Sequence, residues 1–207
     1  MSVICWYFDV RPLCDPALFS RGMSALPWEE RREQAMRFRF EKDRRLCLGA
    51  GLLLAYALRQ AGATDLSLRR LSNGKPVLIN APNIHFNLSH SGTLAACAVS
   101  DRPVGVDVEA LQSVEPGVVA MCFQPIEQAW INQADDQSRA FTRLWTRKES
   151  YLKLRGTGLT CPLDSFCVLP GKDAPDGVCY SEMDEMDHLI CVCTQQNDAV
   201  IFKQWWI

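Results

Sequence analysis

No two of the ten cysteines in this chain stand at C-x-x-C spacing, so neither a paired zinc site nor a redox dithiol is written into it. The opening stretch from Met1 to Val10 also lacks a basic start, an apolar segment and a small-residue cleavage site, as an exported protein would have. Scattered thiols without an export signal are expected to stay reduced in a cytoplasmic protein. Cys191 and Cys193 would share one face of a strand, and no second ligand pair accompanies them. They are read as buried thiols, not as metal ligands.

Long hydrophobic runs are missing as well. The longest, Leu46 to Leu58, is broken by Gly49 and Gly51, flanked by Arg44, Arg45 and Arg59, and too short to span a bilayer. Charge of one sign is scarce. A formal net charge of -2 over 207 residues gives no general attraction to nucleic acid or an anionic membrane, and neither is expected as a partner. Any anion-binding site must come from local basic clusters. What is present, 48% hydrophobic and 22% charged residues, is the composition of a globular protein with one substantial core or two small ones.

The pattern along the chain predicts a strand over Val3 to Val10, a charged helical stretch, and a longer helix from Glu41 to Ala61. Short apolar runs follow at Leu66 to Leu71, Val77 to Ile79, Ile84 to Leu88 and Leu94 to Val99. Asn-Gly, Pro and Ser-Gly punctuate them, as in turn-linked antiparallel strands. After Pro103 the pattern restarts with a strand over Val104 to Val108, then helices at Gln124 to Gln133 and Arg139 to Leu154. Strands are expected at Ser165 to Leu169, Leu189 to Thr194 and Ala199 to Trp205. Similar length and element order point to an α+β protein of two similar halves, 1-103 and 104-207. No low-complexity linker divides them, so they should pack closely and share a cleft.

Three polar constellations carry chemistry. In Gly105-Val106-Asp107-Val108-Glu109, strand alternation puts Asp107 and Glu109 on one face and the valines on the other. A solvated acidic edge is the ordinary reading of such a pair; a divalent cation between the carboxylates is the alternative. In Trp145 to Lys153, helical spacing puts Trp145, Glu149 and Lys153 on one face, with Lys148 and Leu152 beside them. The tryptophan argues that this face is not fully solvated, so more than an exposed i,i+4 ion pair is implied. The run Asn87-Leu88-Ser89-His90-Ser91-Gly92 reads first as a turn, and also offers converging donors for a phosphate. Asn73-Gly74-Lys75-Pro76 reads as a hairpin turn with one lysine that could face a ligand; it lacks P-loop spacing. Gly156-Thr157-Gly158 serves to end a helix.

In order and spacing, Gly74-Lys75-Pro76, Phe86 to Ser91, Val104 to Glu109 and Trp145-x-x-Lys148-Glu149-Ser150-x-x-Lys153 resemble the 4'-phosphopantetheinyl transferase superfamily, in particular its single-chain, surfactin-synthetase-associated type. The resemblance runs from about Arg45 to Leu169 and includes Leu163-Asp164-Ser165-Phe166. It implies two α/β halves related by a pseudo-two-fold axis, with the active site between them, and transfer of phosphopantetheine from coenzyme A to a serine of an apo acyl or peptidyl carrier protein. It further implies a magnesium ion held by Asp107, Glu109 and Glu149, with Lys153 at the pyrophosphate. Asp107, Glu149 and Lys153 are thereby implied in catalysis, and the proton acceptor is Glu149 or a metal-bound water. Arg45, Lys75, Ser89, His90 and, more loosely, Arg31 would hold the adenosine diphosphate end. Gln34 departs from a basic position there, and Thr157 from a lysine in several relatives. Phe123 and Glu127 resemble a pattern near the carrier-binding surface. A monomer is expected, since one chain supplies both sides of the cleft. A metal-dependent phosphohydrolase, or a non-catalytic coenzyme A or carrier-binding module, would use the same residue types.

Overall fold

In a computed structural model of the chain, the described residues are 3-157, 161-170 and 175-207. Strand β1 (Val3–Asp9) passes through a 3-10 turn (Arg11–Cys14) into helices α1 (Pro16–Ala25) and α2 (Glu29–Arg37), and then into the long helix α3 (Glu41–Gln60). Asp15 starts α1 by accepting from the Ala17 and Leu18 amides, which would otherwise lack partners. A short ribbon, β2 (Leu68–Arg70) and β3 (Pro76–Leu78), precedes β4 (His85–Ser91) and β5 (Leu94–Ser100). The chain continues through β6 (Val104–Ala110), α4 (Pro116–Cys122), α5 (Pro125–Gln133) and α6 (Gln137–Arg155), and finishes with β7 (Cys179–Glu185), β8 (His188–Thr194) and β9 (Val200–Gln204). Asp136 caps the start of α6. Gly156 ends it in the left-handed conformation (φ +68°) that glycine adopts without strain. No helix among the described residues is long and apolar enough to cross a membrane.

The molecule is α+β. One sheet has the order β4-β5-β1-β9, with β1 antiparallel to β5 and parallel to β9; the other, β6-β8-β7, is antiparallel throughout. Alternate residues of both sheets form a shared core: Val3, Cys5 and Tyr7 meet Ala96 and Ala98, then Val106, Val108, Ile190 and Val192. A second core packs α3 on the first sheet, and a third holds α4, α5 and α6 together. Cys191 and Cys193 are fully buried free thiols on β8, as their spacing predicts.

The two sheets meet where β4 runs beside β6, and side chains rather than a backbone ladder bind the seam. Asn87 Oδ1 accepts from the Val106 amide at 3.0 Å, and Ser91 Oγ from the Ala110 amide at 3.3 Å. Helix α6 lies directly over β6. A Cβ on Gly105 would come within 2.0 Å of the Ser150 carbonyl oxygen, so only glycine permits this approach.

Two expectations are corrected. Asn87 to Ser91 is strand, and the turn is confined to Gly92 and Thr93. Ser165 to Leu169 is not a strand: Leu163–Ser165 forms a 3-10 turn, and the backbone beyond it bonds to side chains. The Phe166 carbonyl accepts from Lys148 Nζ at 2.7 Å, and the Val168 amide donates to Glu127 Oε1 at 2.8 Å, so these buried groups need no ladder. Gly158 lies outside the described residues.

Candidate functional site

Strand β6 turns Val106 and Val108 into the core and Asp107 and Glu109 into a cleft of about 610 Å³. Asp107 is only 2% exposed. Its Oδ1 accepts from Lys153 Nζ at 2.6 Å and from Ser89 Oγ at 2.8 Å, whereas its buried Oδ2 has no partner among the described residues. Glu109 Oε2 accepts from Ser91 Oγ at 2.6 Å and Gln112 Nε2 at 3.1 Å. Helix α6 forms the facing wall with Trp145, Glu149 and Lys153 at successive four-residue steps. Glu149 accepts no hydrogen bond from the protein among the described residues.

Burial raises the pKa of all three carboxyls. For Asp107 it outweighs Lys153 and the Ser89 bond; for Glu109 it acts with Asp107 against the Ser91 bond; for Glu149 it acts with Asp107 and then Glu109. The three acids repel one another, and among the described residues Lys153 is the one ammonium paired with them, through Asp107. As their side chains stand, no three acidic, histidine or cysteine residues among those described form a closed metal-binding group. The donor chemistry nevertheless suits a hard divalent cation: oxygen ligands, excess negative charge, and an orphaned buried oxygen on Asp107.

The other end of the same cleft is basic. Arg31 reaches in from α2, His90 from β4 and Arg70 from the ribbon, with Gln34, Phe38 and Asp43 around them. Gly51 on α3 makes room for Arg31, since a Cβ there would sit 2.7 Å from its Nε, and that Nε donates to the Cys47 carbonyl at 3.2 Å. Burial lowers the pKa of Arg31, and neighbouring Arg70 adds to this. His90 is lowered by burial first, then by Arg31 and Lys153.

Asp107, Glu109, Glu149, Lys153, Ser89, His90 and Arg31 are therefore brought together, and two other expected residues, Arg45 and Lys75, are not. Arg45 faces the opposite side of α3, in a separate cavity with Glu41, Arg44, Leu13 and Phe19; the cleft-facing residues of that helix are Asp43, Leu46 and Cys47. Lys75 Nζ donates to the Lys153 carbonyl at 3.1 Å, and Asn73 to the Gly156 carbonyl at 2.7 Å, so the hairpin turn caps the end of α6. Lys148 points away from Glu149. It is fully buried in an ion pair with Glu127 at 2.8 Å, and its ammonium also donates to the carbonyls of Leu163 and Phe166. Phe123 and Glu127 are correspondingly buried and form no surface.

Arg70, Asp43 and Gln112 were not singled out from sequence. Arg70 had a usable signal: consecutive residues of a strand point oppositely, so one arginine of Arg69-Arg70 had to face each side of the ribbon. Arg69 lines a small outer cavity and Arg70 the cleft.

Residues 103–206 match the 4'-phosphopantetheinyl transferase superfamily, and residues 14–102 match the N-terminal region of 4'-phosphopantetheinyl transferases. The chain is 32% identical to a 4'-phosphopantetheinyl transferase of Bacillus subtilis over 96% of its own length and 94% of the relative's. It is 32% identical to 4'-phosphopantetheinyl transferase Sfp of Bacillus subtilis strain 168 over 82% of each chain. It is also 32% identical to 4'-phosphopantetheinyl transferase HetI of a Nostoc species, over 72% of this chain and 67% of that one.

Proposed function

The chain belongs to the 4'-phosphopantetheinyl transferase superfamily, and on that premise we propose that its cleft transfers phosphopantetheine from coenzyme A to a serine of an apo acyl or peptidyl carrier protein. The observation that carries the assignment of the reacting centre is the buried Oδ2 of Asp107, without a partner among the described residues and lining the cleft with Glu109 and Glu149. Asp107, Glu109 and Glu149 would hold magnesium, which neutralises phosphate charge when bound. Lys153 adds positive charge where the departing phosphate collects its electrons. Ser89, His90 and Arg31 orient the nucleotide end. Glu149, whose oxygens accept from no protein donor among the described residues, accepts the proton of the carrier serine. The serine oxygen forms a bond to the β-phosphorus, and the bond to the bridging oxygen breaks. Adenosine 3',5'-bisphosphate leaves.

Both walls come from one chain, divided near residue 103, and this supports a monomeric enzyme. Buried free thiols such as Cys5, Cys97 and Cys191 suit the reducing cytoplasm. The test is intact-mass spectrometry of apo carrier proteins incubated with the enzyme, coenzyme A and magnesium. A gain of one phosphopantetheine, lost on chelation, is expected. Coenzyme A binding without transfer to any carrier would overturn the catalytic reading, and phosphate release without a carrier would make the protein a hydrolase.

A further inference from the structure

The basic end of the cleft contains an arrangement that the family resemblance did not assign. Arg31 and Arg70 reach it from separate elements, α2 and the β2–β3 ribbon. Among the described residues neither forms an ion pair, and Asp43, the acid on that part of the wall, pairs with neither. Arg31 uses Nε on the Cys47 carbonyl and, among the described residues, has no acceptor for its two Nη groups; Arg70 uses Nη1 on the Gly74 carbonyl at 3.2 Å and has no other acceptor among those residues. Two guanidiniums brought together without a carboxylate repel each other. Burial makes the Arg31 charge costlier still. Such a pair becomes favourable once an anion with several oxygens sits between them, because each fork can donate to it.

Coenzyme A carries two anionic groups, the diphosphate and a 3'-phosphomonoester. The diphosphate belongs at the acid and lysine end, where transfer occurs. The second phosphate needs cations of its own, and Gln34, one helical turn beyond Arg31 on α2, brings none. Resting on the function proposed above, we propose that Arg70 supplies this missing charge from the ribbon and, with Arg31, clamps the 3'-phosphate, making the enzyme selective for coenzyme A over 3'-dephospho-coenzyme A. His90 borders the same site. The ribbon is held for the task by the Lys75 and Asn73 bonds to the end of α6, which fix Arg70 relative to Lys153.

Isothermal titration of the full chain with both coenzymes tests this. Arg70→Gln should weaken coenzyme A binding about tenfold, as loss of a charge-assisted bond does, and leave 3'-dephospho-coenzyme A within about twofold. Arg70→Lys should keep most of the discrimination. In the Arg70→Gln background, Gln34→Lys should restore part of it, because only the charge at that end is being replaced; a merely structural role for Arg70 would not respond. Equal losses for both coenzymes, or no loss for either, would overturn the clamp. If the parent transfers phosphopantetheine but binds both coenzymes alike, the clamp falls while the transferase reading stands. A parent that binds neither coenzyme overturns both.

Discussion

At the scale of single residues, Asp107 has two oxygens with different tasks. Oδ1 is engaged by Lys153 and Ser89, and Oδ2 is buried with nothing to accept from among the described residues. A buried carboxylate that lacks full compensation favours its neutral form, so Asp107→Asn should fold as well as the parent or better without divalent cations. Its magnesium-dependent rise in melting temperature should vanish, and transfer should fall at least about a hundredfold, in line with the several kcal/mol that a bound cation supplies. Magnesium-dependent turnover near the parent's would remove Asp107 from the metal site. His90 gives a separate handle. Its pKa is lowered by burial, Arg31 and Lys153, so protonation is disfavoured in the folded protein. The stability this contributes is present above the ordinary histidine value of about 6.5 and is lost as pH falls through that value towards the lower folded one. A polyanion reverses the preference by favouring the imidazolium. Coenzyme A should therefore bind more tightly as pH drops from 7.5 to 6, and His90→Gln should flatten that slope; parallel slopes in the two proteins would place His90 off the phosphate path.

At the scale of elements, α6 must present Glu149 and Lys153 at a fixed rotation, and contacts on two of its sides help to set it. Gly105 lets the helix backbone settle on β6, and on the far side Lys148 pairs with Glu127. That buried pair is fully supplied with partners: Lys148 reaches two carbonyls, and Glu127 accepts from the amides of Gln124 and Val168. Removing one partner strands a charge where water cannot reach it. Lys148→Met should destabilise the protein by about 3–5 kcal/mol in urea denaturation, and adding Glu127→Gln should recover part of the loss. A loss in the single variant below about 1 kcal/mol would show that the helix is held by other contacts. Sequence could not reveal this role. Periodicity placed Glu149 and Lys153 on one face of α6, but which neighbouring face enters the cleft depends on α5 and the segment after it. Lys148, one residue away from Glu149, therefore faces the core. Strand β7 went unseen for a related reason: its acids, Glu182 and Asp184, are matched by Arg139, Arg143 and Arg147 of α6, and an isolated strand of alternating acids does not announce such partners.

At the scale of the molecule, the legible residues are those whose relation is local. Asp107 and Glu109 are two apart on a strand, and Trp145, Glu149 and Lys153 are four apart on a helix, so chain geometry alone puts each set on one face. Arg31, Arg45 and Arg70 are the opposite case. Which of them reaches the cleft depends on how α2, α3 and the ribbon pack, and the outcome admits Arg31 and Arg70 and excludes Arg45. The cleft therefore has walls from distant parts of the chain, its basic residues coming from α2 and β2 and its acids from β6 and α6, with Ser89 and His90 added by β4. A ligand reaching from the acids to the basic end must bind both walls together and should suppress their local opening in concert. Hydrogen exchange with coenzyme A and magnesium should show added protection in α2, β2 and the end of α6 at the same ligand concentration, each slowed by the factor that saturation predicts. Protection confined to α6 and β6 would mean that the nucleotide end hangs outside the cleft, and that Arg31 and Arg70 face solvent even when coenzyme A is bound.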